Sequence, residues 1–429
     1  MKLENSKGTK DFPPEEKIVR DEVVNTLKQV FELYGFSPLE TPILNLHDIF
    51  ENKYGGGSEI LKETFKLTDQ GERKLGLRFD LTVPLAKFVG MNPDLKMPFK
   101  RYEIGRAFRD GPVKTGRLRE FWQCDVDIVG ASSMLADAEI LAVVDSAFKK
   151  LGLLIVIRLS NRKFLEGVLD FSGVSKEKRL DAIIAIDKLE KLGESEVIRE
   201  MEQKGIPEDA VAKIMSIIKM KGSNNELISR LKGLIKSGVG AEGLKEIEEI
   251  LTYCNSFGIG TVEFSPSLAR GLAYYTGPVY EVFIKDSKIS SAAAGGGRYD
   301  QMIGGYLGGR KDYPATGIAF GLEVITEALK EKRKFMKKSV AEVFVIPIKT
   351  EQECIRIAEE LRKSGVKTEM DLLTRGISKN LAYANSMSIP YVIIVGEQEI
   401  KQNKVKLRDM KSGKEELLST GEIIKKLNI

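Results

Sequence analysis

Two neighbouring strand-like segments constrain the fold of this chain more than any other feature of its sequence. They are Phe99 to Arg109 and Arg119 to Val129, joined by the basic loop Asp110 to Leu118. Because side chains alternate between the two faces of a strand, the second segment has one apolar face, made of Trp122, Cys124, Val126 and Ile128. The pattern predicts two paired strands that pack one face against a core.

The opposite face of these strands is polar. Its members are Arg101, Glu103, Gly105, Ala107 and Arg109 in the first strand and Arg119, Phe121, Gln123, Asp125 and Asp127 in the second. An antiparallel sheet with one solvated face commonly alternates in this way, so a plain surface is the alternative. A water-facing strand usually carries Lys, Glu and Thr, and two small residues here leave space above the sheet. We therefore favour a ligand-binding sheet.

A second feature is the segment 270–277, Arg-Gly-Leu-Ala-Tyr-Tyr-Thr-Gly, which leads into a predicted strand from Val279 to Ile284. Arg270 offers a forked positive charge suited to a carboxylate or phosphate. Tyr274 and Tyr275 offer flat walls with hydroxyl tips. The segment suits a pocket for a small planar molecule beside an anion. Taken alone, a turn with two core tyrosines and a surface arginine is an equal alternative.

Composition narrows the chemistry that this chain can perform. Its 429 residues carry a net charge of +5 and contain three well-separated cysteines and one histidine, which predicts two or three domains and no metal knuckle or disulfide framework. Because His47 is the single histidine of the chain, catalysis by histidine side chains is disfavoured. We expect His47 to be a helix cap or a surface residue. The N-terminus resembles no signal peptide and no apolar run approaches ~18 residues, so we expect a cytoplasmic protein without a membrane span.

The remaining segments predict the domain organisation. A helix runs to about Leu33, and a hairpin is centred on residues 69–71. Residues from about 171 to 258 look like a helical insertion, whose lysines are either solvated or contact nucleic acid. Residues 315–323 are predicted to begin a final helix that ends near Lys330. A charged linker, 331–339, then precedes alternating strands and helices from 340 to 429, typical of a small α/β domain.

With these segments placed, the chain resembles the histidyl-tRNA synthetases, a family of class II aminoacyl-tRNA synthetases, in their archaeal and eukaryotic style. The helix before Thr41-Pro42 resembles the first motif of the class, and the strand-loop-strand around Arg109 resembles the second. Segments 270–277 and 293–300 resemble two histidine-specific signatures. The resemblance implies an α+β catalytic domain, 1–330, built on an antiparallel sheet with a helical insertion, and a C-terminal α/β anticodon-binding domain, 340–429.

The resemblance also implies an activity and its residues. Histidine and ATP, accompanied by Mg²⁺ and without a prosthetic group, would form histidyl-adenylate and pyrophosphate, and the histidyl group would pass to the histidine tRNA. Arg109 and Arg270 would be catalytic, meeting the α-phosphate from two sides. The implied histidine-binding residues are Asp80, Leu81, Thr82, Arg109, Gln123, Asp127, Arg270, Tyr274 and Tyr275. Glu103 and Arg117 would contact ATP, no protein metal site is implied, and the enzyme would be a homodimer.

The sequence departs from the family pattern at two positions. The last motif usually ends in an arginine that stacks on adenine, and Val324 stands there; Ala273 replaces a common aspartate. Loss of the arginine should weaken ATP binding unless Arg310 or Arg298 takes its place. One alternative is a catalytically inactive, histidine-sensing regulatory paralog, and another is a tRNA-binding scaffold. We favour the synthetase because the chain keeps Arg109, segment 270–277 and the C-terminal domain.

Overall fold

The computed structural model describes residues 2–51, 58–113, 117–236, 238–271, 274–309, 312–333 and 337–427, with the side chains of 58–60 also left out. The chain divides into two compact units. The first consists of residues 1–10 and 22–332, and the second of residues 11–21 and 333–429. Across the described residues, no helix combines the length and apolarity needed to cross a bilayer.

The described strands of the first unit form a large sheet and a small one. Their bounds are β1 Ser37–Pro38, β2 Leu44–Leu46, β3 Lys66–Thr68, β4 Lys74–Leu77, β5 Phe99–Phe108, β6 Glu120–Val129, β7 Ile155–Asn161, β8 Val262–Phe264, β9 Pro278–Ile284, β10 Ala294–Arg298 and β11 Ala315–Gly321. The large sheet has the order β1-β5-β6-β11-β10-β9-β7-β8 and is antiparallel except at its two edge pairs. This confirms an α+β fold on a largely antiparallel sheet.

Fourteen α-helices accompany these strands in the described sequence up to residue 332, and the first of them begins in the second unit and continues in the first from residue 22. Their bounds are α1 Pro14–Leu33, α2 Asp48–Glu51, α3 Ser58–Glu63, α4 Thr82–Met91, α5 Met134–Lys150, α6 Arg162–Ser172, α7 Arg179–Ile186, α8 Leu189–Leu192, α9 Glu194–Gln203, α10 Glu208–Ile218, α11 Asn224–Leu234, α12 Gly238–Ser256, α13 Asp300–Tyr306 and α14 Leu322–Lys332. Helices α6 to α12 lie between β7 and β8, so the insertion leaves and rejoins the same sheet. It begins at Arg162, earlier than the predicted residue 171.

The predicted final helix from residue 315 is wrong in its first half. Ala315–Gly321 is a strand, β11, paired with β6 on one side and β10 on the other, and the helix begins only at Leu322. Small residues fit between two neighbouring strands, where Gly317 lies directly against Asp127 of β6. Pairing with strands distant in sequence therefore decides the conformation of a segment whose own residues have no strong preference.

The small sheet presents an apolar face of five leucines, which we call the leucine face. Strand β4 pairs with β2 on one side and with β3 on the other. In these registers Leu44 of β2 lies opposite Leu77, and Leu75 lies between Leu46 of β2 and Leu67 of β3. Leu44, Leu46 and Leu67 are 51%, 54% and 42% exposed. Residues facing the other way, such as Gly76, pack on Phe50. The hairpin predicted around residues 69–71 joins β3 to β4 and is confirmed.

The second unit is an α/β domain with its own sheet. Its bounds are β12 Val343–Pro347, α15 Glu351–Lys363, β13 Thr368–Met370, α16 Ile377–Ser386, β14 Tyr391–Val395, α17 Glu397–Lys401, β15 Val405–Asp409, β16 Glu415–Leu418 and α18 Thr420–Leu427. The strand order is β13-β12-β14-β15-β16. Separate apolar clusters pack on the two faces of this sheet. The predicted alternation of strands and helices after residue 340 is confirmed.

Candidate active site

The polar faces of β5 and β6 come together as the alternation predicted. The antiparallel register places Arg101 opposite Asp127, Glu103 opposite Asp125 and Gly105 opposite Gln123. On its other side β6 pairs with β11, whose Gly317 and Ala319 add no bulk to the same surface. Charged side chains therefore share a floor with small residues, which leaves room for a ligand.

A cleft opens above this floor. The space that it encloses, including the open mouth, is about 510 Å³. It is lined by Phe79, Asp80, Thr82, Arg109, Gln123, Asp125, Asp127, Arg270, Tyr274, Tyr275, Gly295, Gly296, Gly297, Tyr299, Gly317, Ile318 and Ala319. Eight residues predicted from the sequence are brought together here, whereas Leu81, Glu103 and Arg117 are not among the lining residues.

Asp80 lies where the chain enters α4. Its Oδ1 accepts hydrogen bonds from the backbone N–H groups of Thr82 at 3.1 Å and Val83 at 2.9 Å, so it satisfies free donors at the helix N-terminus. Burial raises the pKa of the Asp80 carboxyl, and the bond from Val83 and the charge of Arg109 oppose that shift. Leu81 is fully buried and contributes its carbonyl oxygen, which accepts from Arg101 at 3.0 Å.

Arg109 is held against one wall of the cleft by aromatic rings. Its guanidinium carbon lies 4.1 Å from the ring centre of Phe79 and 4.9 Å from that of Phe121. Its Nε donates to the Phe79 carbonyl at 3.3 Å. Burial lowers the pKa of Arg109 and the Asp80 carboxylate opposes this, but an arginine remains charged. The stacking orients a fixed positive charge toward the cleft.

Arg270 supplies a second positive charge from the segment before β9. Its Nη1 lies 2.9 Å from Glu281 Oε1 on β9, and a side chain at Gly295 would collide with the same guanidinium nitrogen. Burial alone would lower the pKa of Arg270, but Tyr275 and Glu281 outweigh it and raise the pKa above its ordinary value. The glycine therefore lets the Arg270 guanidinium cross the backbone of β10 closely, and a larger residue would displace it.

Asp127 lies at the deep end of β6. Its Oδ2 pairs with Arg101 Nη2 at 2.8 Å, and its Oδ1 accepts from the Tyr299 hydroxyl at 2.5 Å. Burial raises the pKa of Asp127, and Arg101 and the Tyr299 bond oppose the rise. A Cβ at Gly317 would collide with Oδ1. This carboxylate is thus buried, charge-paired and fixed in position.

Tyr274 and Tyr275 close one side of the cleft. Their ring centres are 4.6 Å apart and the planes are inclined by 51°. Tyr274 also meets Tyr299 edge-on at 6.3 Å. The three rings form a wall suited to a planar group, as the two adjacent tyrosines in the sequence indicated.

Glu103 belongs to a buried ion-pair network instead of the cleft lining. Its Oε1 accepts from Arg78 Nη1 at 2.9 Å and from the Thr41 backbone N–H and hydroxyl at 2.9 and 2.8 Å. Arg78 also donates to the carbonyls of Thr41 and Arg106. The network ties the ends of the small sheet to β5. Sequence alternation placed Glu103 on the correct face, but its neighbours from residues 41 and 78 occupy the carboxylate.

We expect Glu103→Gln to lower the free energy of unfolding by about 3 kcal/mol, because Arg78 would remain as a buried charge without its counterion. The KM for ATP should stay within about twofold. Denaturant unfolding and ATP titrations measure the two effects. Glu139→Gln, which breaks a half-buried pair with Lys100 at 2.9 Å, is the matched control and should cost at most about 1 kcal/mol. A raised KM with unchanged stability would contradict this prediction.

Three other predicted residues lie away from the cleft or outside the described structure. Arg117 is exposed and pairs with Glu63 at 3.0 Å. Arg298, a candidate to replace the missing arginine of the last motif, is buried and paired with Asp137 and with the carbonyls of Ala131 and Ser133. That role for Arg298 is therefore wrong, since its donors are already engaged. Arg310, and the departure at Ala273, lie outside the described residues.

Val324 is buried in the first turn of α14. The side chain of Val324 is not among the cleft residues, whereas its neighbour Glu323 accepts from the Trp122 backbone N–H at 3.2 Å.

His47 is buried beside α2. It precedes this helix, as expected of a cap, but its side chain is only 7% exposed and lies 3.5 Å from Glu51. The surface alternative for His47 is therefore wrong.

Sequence reasoning did not assign three residues of this site. Arg101 and Asp125 were placed on the polar face without a role, although an arginine and three acids on one face form a signal of a buried charge cluster. Tyr299 follows the glycine run 295–297 and gave no signal of its own. Among the described residues, no group of three potential metal ligands is present.

Comparisons with known proteins agree over the whole chain. A family model described as histidyl-tRNA synthetase matches residues 8–325, and one described as anticodon binding domain matches 342–428. The chain belongs to the histidyl-tRNA synthetase family. Histidine–tRNA ligase 1 of Bacillus cereus is 46% identical over 97% of both chains, and histidine–tRNA ligase 2 of Shouchella clausii is 43% identical over 96% of this chain and 97% of its own.

A solved histidyl-tRNA synthetase from Nostoc sp. PCC 7120 has the same fold, with a TM-score of 0.88 and 29% identity, and covers 100% of this chain and 99% of its own. The predicted membership of the histidyl-tRNA synthetase family is therefore confirmed. The archaeal and eukaryotic style is not supported, because these relatives come from bacteria.

Proposed function

We propose that this chain is a histidine–tRNA ligase that uses its cleft to join histidine to ATP and then transfers the histidyl group to tRNA. The observation that carries the proposal is the arrangement of charge in the cleft. Arg109 and Arg270 line it together with the carboxylates of Asp80, Asp125 and Asp127. An amino acid and a nucleotide phosphate present the complementary charges. Relatives named histidine–tRNA ligases at 46% identity favour this function over an inactive sensor.

In the first step, the histidine carboxylate attacks the α-phosphorus of ATP, a new P–O bond forms, and pyrophosphate leaves. No proton has to be removed from a carboxylate nucleophile, so alignment and charge neutralisation are the main requirements. We assign both to Arg109 and Arg270. Arg109 is stacked on Phe79 and Phe121 and Arg270 is held by Glu281, so neither guanidinium needs to reorganise as charge develops.

Histidine recognition is assigned to the other cleft residues. Asp80 and Thr82 bind the α-amino group at the entrance of α4, with Leu81 shaping this turn through its backbone. Gln123 contacts the carboxylate or amine region and Asp127 accepts the imidazole N–H. Tyr274 and Tyr275 close over the ring. A pocket of this kind rejects apolar side chains because its buried acceptors would be left unpaired.

The ATP end of the cleft has fewer assigned contacts. We infer that Mg²⁺ arrives with the ATP phosphates, because no three His, Cys, Asp or Glu side chains of the described residues are placed so that they could hold the ion together. Glu103 and Arg117 were candidates for ATP contacts. Because Glu103 is paired with Arg78 and Arg117 is paired with Glu63, we rank both below Arg109 as residues that contact ATP. With Val324 at the last motif and Arg298 engaged by Asp137, we expect weak ATP binding.

We assign tRNA recognition to the C-terminal region. Residues 342–428 match the anticodon-binding model, so we propose 1–330 as catalytic domain, 331–339 as linker and 340–429 as anticodon-binding domain; residues 334–336 of this linker lie outside the described structure. The protein would work in the cytoplasm, in keeping with its buried cysteines, Cys124, Cys254 and Cys354, which form no disulfide.

We further propose a homodimer that buries the leucine face. A cluster of five leucines, of which Leu44, Leu46 and Leu67 are exposed, is unfavourable in water, and leucine side chains present no charge that a nucleic acid would bind. In a two-fold symmetric dimer, the same face of each copy can cover the other. A second copy of this chain is therefore the partner that suits this face.

The double substitution Leu44→Lys and Leu46→Lys is expected to convert the dimer into a monomer, because four charges would be buried at a symmetric contact. Sedimentation velocity or light scattering reports the mass directly. Leu192→Lys is the matched control, since Leu192 on α8 is 53% exposed and lies outside the leucine face. A dimer that survives both leucine substitutions would exclude this face as the interface.

The deciding experiment is histidine-dependent ATP–pyrophosphate exchange without tRNA, scanned over ATP concentration. Exchange with histidine and with none of the other amino acids is the expected result, with a high KM for ATP. Charging of histidine tRNA by the full chain, and its loss on removal of residues 340–429, tests the anticodon domain. Binding of histidine without any exchange would favour the regulatory paralog instead.

A further inference from the structure

Asp125 is a cleft residue whose hydrogen-bonding capacity is not met by the protein. It lies on β6 between Gln123 and Asp127, with all three side chains on the same face. Asp125 is 2% exposed, and its Oδ1 has no hydrogen-bond partner among the described residues; the same holds for Gln123 Oε1. A buried charged acceptor without a donor is costly. Its retention in a ligand cleft indicates that the ligand supplies the donor.

The surrounding charges favour a cation as that donor. Asp125 lies opposite Glu103 in the register of β5 and β6 and precedes Asp127 by two residues on the same face. These three carboxylates face two guanidinium groups, those of Arg78 and Arg101. Arg78 pairs with Glu103 at 2.9 Å, and Arg101 pairs with Asp127 at 2.8 Å. Among the described residues, Asp125 is therefore the carboxyl of this group that is left without an ion-pair partner, and it lines the cavity.

The electrostatics of Asp125 agree with this geometry. Burial raises the pKa of the Asp125 carboxyl well above its ordinary value; Asp127, Asp80 and Glu103 raise it further, and Arg101 opposes them. A cation entering the cleft would favour the ionised form. The backbone opposite is Ala319 of β11, which brings no charge to the carboxylate.

Asp125 and Asp127 differ in the donor that suits them. The charge of Asp127 is compensated by Arg101, and its Oδ1 already accepts a hydrogen bond from the Tyr299 hydroxyl. A neutral N–H donor, such as that of imidazole, therefore suits its remaining capacity to accept hydrogen bonds. Asp125 has no such partner and suits a group with a full positive charge and several N–H donors. In an amino acid with a neutral imidazole ring, that group is the α-ammonium.

We propose that Asp125 is a specificity-determining residue that binds the α-ammonium group of the amino acid substrate and requires this group to be free and positively charged. The inference rests on the proposed function and adds a residue to it. Gln123 Oε1, one position along the same face, would accept a second N–H of the ammonium, and Asp80 would approach it from α4. Amino acids blocked or missing at the α-nitrogen would then be excluded by an unpaired buried carboxylate.

The test compares three ligands by calorimetry on the full-length protein. Histidine has ammonium, carboxylate and imidazole; histidinol lacks the carboxylate; and 3-(imidazol-4-yl)propanoate lacks the ammonium. Asp125→Asn should raise the Kd of histidine and histidinol by about 10 to 100-fold, as loss of a charged hydrogen bond implies, and leave that of the propanoate within about twofold. Asp127→Asn should weaken all three ligands. Asp145→Asn, a buried carboxylate on α5 paired with Lys149, should weaken none.

A second readout separates ligand binding from a purely structural role. Asp125→Asn replaces a buried carboxyl whose Oδ1 has no hydrogen-bond partner among the described residues, so the Tm of the unliganded protein should stay the same or rise, whereas loss of a structural carboxylate would lower it. If the Asp125→Asn variant does not fold, the same ligand titrations and thermal melt are made on Asp125→Ser. Equal weakening of all three ligands, or of none, would overturn the proposal. If the unaltered protein supports no histidine-dependent exchange, the proposed function fails instead.

Discussion

Replacement of Arg270 by glutamine is expected to lower kcat for histidine-dependent ATP–pyrophosphate exchange by about 10³-fold. Glutamine retains some hydrogen-bonding capacity but removes the positive charge that faces the cleft. Charge builds up on the phosphate oxygens mainly in the transition state, so the loss should appear in kcat more than in the KM for histidine. Initial rates over both substrates, measured with radiolabelled pyrophosphate, separate the two constants.

Arg158→Gln provides a matched control for this substitution. Arg158 lies on β7 of the same sheet, stacks over Phe283 with its guanidinium carbon 4.5 Å from the ring centre, and pairs with Glu190. It is not a cleft residue, so exchange should change by less than about twofold. Removal of Arg270 also leaves Glu281 without its cation, and a thermal melt reports that cost separately. Normal exchange in Arg270→Gln would refute the assigned role.

Asp127→Asn is expected to have the second large effect, on both selectivity and stability. The kcat/KM for histidine should fall by at least about 10²-fold, because a neutral amide is a weaker acceptor than the carboxylate to which we assign the imidazole N–H. The free energy of unfolding should fall by about 3 kcal/mol, because buried Arg101 would keep only the more distant carboxylate of Glu103, at 3.8 Å. Exchange kinetics and denaturant unfolding measure the two effects on the same sample.

Asp137→Asn separates these two effects. Asp137 is fully buried and paired with Arg298, as Asp127 is with Arg101, but it is not a residue of the cleft. The Asp137→Asn substitution should lower the free energy of unfolding by a comparable amount and leave the kcat/KM for histidine unchanged. If both variants lost selectivity equally, the effect at Asp127 would reflect stability alone and the assigned contact with imidazole would be wrong.

The local alternation of residues was sufficient to predict the floor of the site. Period-two patterning placed Gln123, Asp125 and Asp127 on one face, and the register of β5 and β6 agrees with it. The sequence also determined the α/β tail, because apolar strands and amphipathic helices alternate there at short range. The segment 270–277 indicated an arginine beside two aromatic walls. These features depend on neighbours within a few residues of each other.

Other features were decided only by the tertiary structure. Residues 315–321 have little preference of their own and became a strand because β6 and β10 lie on either side. Whether a charged side chain meets ligand or protein depended on partners far along the chain, such as Arg78 for Glu103 and Asp137 for Arg298. A buried charge must be compensated by whichever group the fold brings nearest. Sequence thus determined which residues share a face, whereas the fold decided which of them remain free to bind.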